Sequence, residues 1–331
     1  MVTFSVVIAT RNLNWSTAGV ASVAAQLTPS DELIVVLPAG ATTDAAGAAA
    51  DCPVRFVHTD GAASVTRSRR IGAEAASKDV VAFIDDDITL ENGWFEQLGA
   101  AYDEAGVAGV AGRLCDAAQA EDRTGGGGIG RVLADGRVTQ NFAVDPGRPV
   151  EVDHLPAASL SFRRSVLQAV GGLDDDYPDA GRFAEIEAAL QTRRRGGRLL
   201  FVPTAVATRR PAEQRADQPT PHPTGRPSIR NQLYLARRSQ AMMLARVFGL
   251  GPHTNYYLAG VVRNQRVRLI EAVMLTTPYW GRADGSRRPL RRRLEAPIPL
   301  GYAIAELGGV VAGMWATVGG RHRRSSRLPQ Q

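Results

Sequence analysis

Short apolar runs alternate with stretches of helical spacing along the first part of this chain. Phe4–Thr10, Glu32–Leu37, Val54–His58 and Val80–Ile84 are apolar and rich in β-branched residues, which predicts four strands. Between them, Ser16–Gln26 puts Val20, Val23 and Leu27 on one helical face, and Ser64–Ser77 turns Ile71, Ala75 and Ala76 inward. Asn92–Glu104 predicts a helix carrying Trp94, Phe95, Leu98 and Tyr102, and Val107–Arg113 predicts a strand of small residues. Strands separated by helices predict a parallel, doubly wound α/β sheet.

The pattern weakens from Cys115 to Val152. The glycine run Gly125–Gly128 lacks a following Gly-Lys-Ser/Thr, so it predicts a loop and not a phosphate-binding P-loop. Ala157–Phe162 then reads as a strand and Ser165–Val170 as a helical turn capped by Gly171-Gly172. Arg182–Arg195 reads as a helix, and Leu199–Val202 as a strand ended by Pro203. Prolines at 211, 219, 221, 223 and 227 predict a linker over 211–227. Helices are expected over Ser228–Phe248 and Asn255–Leu275. Tyr302–Val318 is apolar except for Glu306, shorter than the roughly 20 residues of a spanning helix and interrupted by Gly308-Gly309 and Gly313, so an amphipathic or buried helix is expected. The organisation that follows is a domain at 1–210, in halves 1–112 and 113–210, then the linker, then a helical region at 228–331.

Composition changes this picture in one place. The net charge of +6 conceals an acidic first part and a basic tail: residues 221–331 hold 18 Arg against 4 acidic residues. Basic tails meet anionic surfaces. No nucleic-acid module is recognisable, and aromatics are not interleaved with the arginines, so nucleic acid is not the expected partner. A peripheral contact with the inner face of a membrane is the favoured reading, each Arg being worth about 1 kcal/mol near an anionic surface. A homo-oligomer interface with solvated arginines is the other. Cys52 and Cys115 match no metal or redox motif and predict reduced thiols in a cytoplasmic protein. Met1–Ile8 enters a strand with no basic leader before it.

The strongest chemical signal is Asp85-Asp86-Asp87 at the end of the Val80–Ile84 strand. Like charges this close repel and require solvent, a cation or both. Carboxylates at the carboxyl end of a strand in an α/β sheet sit where ligands bind. A divalent metal there could hold a diphosphate. An acidic turn capping the next helix is the simpler alternative, but one Asp would serve for that.

Val7-Ile8-Ala9-Thr10-Arg11-Asn12, Ser64–Gly72 and Phe83-Ile84-Asp85-Asp86-Asp87, followed by Ser161-Phe162-Arg163-Arg164 and Gly171-Gly172-Leu173-Asp174, resemble the motifs of family 2 glycosyltransferases of the GT-A fold, in family order. The resemblance implies a Rossmann-like, mostly parallel central sheet with flanking helices. It implies transfer of a sugar from a nucleotide-sugar to an acceptor hydroxyl, usually with inversion and with Mg²⁺ or Mn²⁺. Thr10 and Arg11 would lie near the nucleobase and Arg67 near the donor. Asp85 would contact the ribose and share the metal with Asp87, Asp86 lying between them on the donor side. Glu185 takes the place of the catalytic base, and Asp174, Asp175 and Glu187 fall on the acceptor side. The acceptor would be a glycan, a lipid-linked glycan or a small molecule.

Three positions depart from the family. Leu37 or Pro38 stands where an Asp usually helps hold the base, which leaves the nucleotide open. Ala184-Glu185 replaces a Glu-Asp pair. Arg209 replaces a His that ligates metal in several members; a guanidinium cannot ligate a metal but can bind diphosphate. These departures motivate a rival, a GT-A scaffold that binds without turnover. A nucleotidyltransferase would need a Lys in the first loop, and Asn12–Gly19 has none. On spacing alone Glu185 and Glu187 point to different sides of a helix, so at most one is expected at the site, and Arg69 and Arg70 read as helix-surface charges.

Overall fold

The computed structural model describes residues 1–10, 17–41, 51–60, 63–116, 128–177, 182–210, 229–276 and 297–325. Arg11, most of the glycine run and the 211–227 segment lie outside them. The chain divides into two compact units, Met1–Val132 with Val138–Pro223, and Leu133–Arg137 with Thr224–Gln331.

The first unit is built on nine strands: β1 (Phe4–Ala9), β2 (Glu32–Leu37), β3 (Val54–His58), β4 (Val80–Asp85), β5 (Ile88–Leu90), β6 (Val107–Asp116), β7 (Val150–Glu151), β8 (Ser159–Arg163) and β9 (Arg198–Arg209). They pair in the order β3-β2-β1-β4-β8-β6-β9-β5, with β7 also on β9. β3, β2, β1 and β4 are mutually parallel, and the largely apolar β1, β2 and β4 are buried on both faces. From β8 onward the sheet is mixed: β8 runs antiparallel to β4 and β6, and β5 and β7 run antiparallel to β9.

Alternation along each strand divides the core. Val6, Ile8, Leu33, Val35 and Ile84 face α1 (Thr17–Ala24) and α3 (Trp94–Tyr102), packing with Val23, Trp94 and Leu98. Val7, Val36, Val81 and Phe83 face the other side, which also holds Ile71 of α2 (Val65–Ala75), Leu167 of α4 (Arg164–Ala169) and Ala189 of α5 (Arg182–Arg194). Ser64 caps α2 by accepting the amide of Arg67 at 3.1 Å. Cys52 and Cys115 are free thiols.

Pro203 does not end its strand. β9 runs twelve residues, and its ladder with β6 slips at Pro203, from Gly112 opposite Val202 to Arg113 opposite Val206. Proline is tolerated in such a bulge because no ladder donor is needed there. Gly112 makes the slip possible: a Cβ there would stand 1.9 Å from the Ala205 carbonyl oxygen. The bulge carries β9 on to Arg209, where it pairs with β5.

Among the described residues the second unit contains three helices, α6 (Ile229–Phe248), α7 (Pro252–Thr276) and α8 (Pro297–Ser325). The glycines expected to weaken the last of these are its packing surface. Cβ atoms at Gly309 and Gly313 would lie 2.3 and 2.2 Å from the carbonyl oxygens of Tyr234 and Arg238, so their absence lets α8 approach the α6 backbone. Glu306 is buried and receives Arg237 at 3.1 Å and the Gln265 amide at 2.8 Å. No helix among the described residues is long and apolar enough to cross a membrane.

Candidate active site

The three aspartates sit at the carboxyl end of β4. Asp85 is the last residue of the strand, Asp86 and Asp87 form the turn, and β5 follows at once. Because β5 pairs with the end of β9, Ile88 lies opposite Arg209, and the Arg210 amide donates to the Asp87 carbonyl at 3.0 Å. Arg209 thus meets both carboxylates, with Nη2 3.3 Å from Asp85 Oδ2 and Nε 3.5 Å from Asp87 Oδ2. Arg210 donates to the Asp86 carbonyl at 2.6 Å.

A second guanidinium approaches from the other side. Arg69, in α2, is 2% exposed. Its Nη2 donates to Asp85 Oδ1 at 2.5 Å and to the Ala157 carbonyl at 2.7 Å, while Nη1 pairs with Glu185 Oε1. One planar cation therefore joins the end of β4 to α5. Its two carboxylate partners hold Arg69 protonated, their attraction exceeding the opposing effect of burial. Arg69 is not a surface charge; it runs beside Thr66, Ser68 and Gly72, small residues buried on the same helix. The neighbouring Arg70 turns elsewhere, pairing with Glu74 and, at 2.9 Å, with Asp175.

Glu185 is 1% exposed. Burial pushes its carboxyl up to about 7, against the lowering pull of Arg69. Its Oε2 is buried and has no hydrogen-bond partner among the described residues. Glu187 is buried as well and accepts the Tyr177 hydroxyl at 2.5 Å. The two-residue spacing does not send either one to solvent, because residues 183–190 are buried all round the helix.

The remaining expected residues divide. Thr10, buried at the end of β1, donates its amide to the Val36 carbonyl at 3.1 Å. Arg67 is exposed, and Arg69 lies beside the acidic end of β4. Asp174, Asp175 and Asp176 are half-buried with carboxylate oxygens within 4.8 Å of one another. Asp174 accepts the Asp176 amide at 2.9 Å, and Asp175 is committed to Arg70.

Both oxygens of Asp85 are engaged by guanidinium groups, one by Arg69 and one by Arg209, and a carboxylate so engaged keeps further lone pairs. The neutralising cations beside the aspartates are Arg69 and Arg209. A divalent ion still fits at Asp87, because Mg²⁺ needs only one or two carboxylates when substrate phosphates supply the rest.

A doubly wound half, an acidic strand end and a buried carboxylate facing it define a GT-A glycosyltransferase. Residues 5–169 match Glycosyl transferase family 2, and the chain belongs to that family. It is 26% identical over 164 residues to the pre-mycofactocin glycosyltransferase of Mycobacterium tuberculosis, in two strains. The match covers 47% of this chain but only 32% of the length of those relatives. The fold is shared with residues 1–349 of S. aureus TarS, at TM-score 0.54 and 11% identity over 99% of this chain and 93% of that one. It is also shared with GalNAc-T7 with UDP, GalNAc and Mn²⁺, at TM-score 0.53 and 14% identity over 78% and 54%.

Proposed function

We propose that this chain transfers a sugar from a nucleotide-sugar to an acceptor hydroxyl with inversion. The observation that carries the reading is Arg69, which ties the strand-end Asp85 to the buried Glu185 through one guanidinium. Structures of the same fold hold UDP-GlcNAc and, in another case, UDP with Mn²⁺, which supports a nucleotide-sugar donor. The donor diphosphate lies against Arg209 and Asp87, with Thr10 toward the base. A divalent cation held by Asp87 and the phosphates supplies charge neutralisation when bound.

Glu185 is the base. Its Oε2 takes the proton of the acceptor hydroxyl as that oxygen attacks the anomeric carbon. The bond from that carbon to the diphosphate breaks, and the nucleoside diphosphate leaves with the electron pair. Arg209 stabilises the negative charge on the departing diphosphate. Asp174 and Asp175 precede α5 in sequence, Asp175 pairing with Arg70 of α2, and in this reading they serve the acceptor side. Arg209→Met is expected to lower turnover about 100-fold while tightening Mn²⁺ binding, since it frees two carboxylates. Initial rates titrated with Mn²⁺ check this, and unchanged turnover would remove Arg209 from the mechanism.

A separate observation supports contact with a membrane surface. Ile304, Leu307, Val311 and Trp315 are exposed at steps of three, four and four residues along one face of α8, Trp315 at 80%. The second unit also carries the chain's arginine excess, which complements anionic lipid. Trp315→Ser is expected to weaken co-sedimentation with phosphatidylglycerol vesicles about tenfold. Equal binding by the variant would sink the membrane reading.

A further inference from the structure

The second unit contains a cavity of about 730 Å³ that the proposed transfer does not use. Its walls come from α6, α7 and the 133–137 segment, which belongs to the same unit. That volume suits a sugar-sized ligand. Asp135, Arg137, Arg237 and Arg263 line it, with Tyr256 and Tyr257. Arg137 is paired with Asp135 at 2.7 Å, and Arg237 with the buried Glu306 at 3.1 Å. Arg263 is exposed and has no ion-pair partner among the described residues, so the cavity keeps an uncompensated positive charge.

Tyr257 is the second and independent observation. It is 3% exposed, lines the cavity, and its hydroxyl, toward which Arg237 donates, finds no hydrogen-bond acceptor among the described residues. The nearby Arg237, whose guanidinium carbon lies 6.0 Å from the ring centre, is itself only a donor and cannot accept the phenolic proton. Burial pushes the phenol up to about 12, so it stays a neutral donor. A buried hydroxyl without an acceptor is costly and rare. Tyr256, 62% exposed beside it, offers an aromatic face for a carbon skeleton.

We infer that this cavity binds a phosphorylated ligand, with Arg263 and Arg137 meeting the phosphate oxygens, Tyr257 donating to one of them and Tyr256 covering the ligand's carbon framework. The phosphate could belong to a soluble sugar phosphate or to a lipid headgroup, and the chemistry is shared. The site is independent of the transferase reading and stands or falls apart from it.

The test uses the full chain with EDTA present. Glucose 1-phosphate is titrated calorimetrically into wild type, Arg263→Glu, Tyr257→Phe and, as a donor-site control, Arg209→Ala. Saturable binding is expected to weaken at least about tenfold in Arg263→Glu and about fivefold in Tyr257→Phe, with Arg209→Ala unchanged. Tyr257→Phe is nearly isosteric and exposed Arg263 supports no packing, so folding is not in question. If glucose 1-phosphate does not bind but phosphatidic acid vesicles do, with the same sensitivity to Tyr257→Phe, the phosphate is a lipid's. Binding that is absent with both probes, or lost only in Arg209→Ala, overturns the inference.

Discussion

Glu185→Gln is expected to lower transfer about 1,000-fold, the range typical of a positioned general base, while leaving nucleotide-sugar affinity nearly intact. The amide keeps the shape of the carboxylate and can still accept from Arg69 through its oxygen, but it cannot take a proton. Wild-type activity should rise with pH through about 7, because burial raises the Glu185 carboxyl to that value and only the ionised form is a base. Below that pH the carboxyl is protonated and transfer falls. The variant should lose this acidic limb along with its rate. A pH profile of turnover, measured for both proteins at saturating donor, checks the two together. An acidic limb that survives unchanged in Glu185→Gln would assign the titration to another group.

Arg69→Met is expected to act on stability and on chemistry. Two carboxylates lose their shared partner, one of them fully buried. Breaking a buried pair from one side costs about 3–5 kcal/mol, which corresponds to a fall of about 10 °C in melting temperature for a unit of this size. In chemistry, the loss of a positive neighbour raises the Glu185 carboxyl further, so the acidic limb should move to higher pH. Arg69→Lys is expected to recover part of the stability but not the rate, because one ammonium cannot span Asp85 and Glu185 as the planar fork does. Thermal melts and pH profiles of both variants check this. A shifted melting point with an unmoved pH profile would leave Arg69 a structural residue and nothing more.

How much of this was legible in the chain follows from where each signal lies. β1, β2 and β4 are apolar at nearly every position, and a strand buried on both faces can look like little else. The Asp85–Asp87 turn was legible because three adjacent carboxylates need neutralising. The source of the neutralisation was not, because Arg69 and Arg209 lie far from it in sequence and meet it only through the fold. Arg69 stands in the run Arg67-Ser68-Arg69-Arg70, which reads as a wet helix face. The small residues Thr66, Ser68 and Gly72 were the available hint that a long side chain had room to lie inward there. Glu185 and Glu187 misled for a related reason: periodicity assumes a solvent side, and the middle of α5 has none. Pro203 signals a strand end locally, and only the slip opposite Gly112 shows how the ladder passes it. β5 is three residues long and owes its existence to pairing with β9.

The most direct test of the proposed site is hydrolysis of nucleotide-sugars by the purified chain with Mn²⁺, in the absence of acceptor. One nucleotide-sugar should be cleaved to nucleoside diphosphate and free sugar by wild type, at rates cut at least about 100-fold in both Asp87→Ala and Glu185→Gln. Cleavage that survives both substitutions would contradict the assignment of these residues. Absence of cleavage with every nucleotide-sugar, by a chain that still binds a nucleotide, would make this a binding scaffold without turnover.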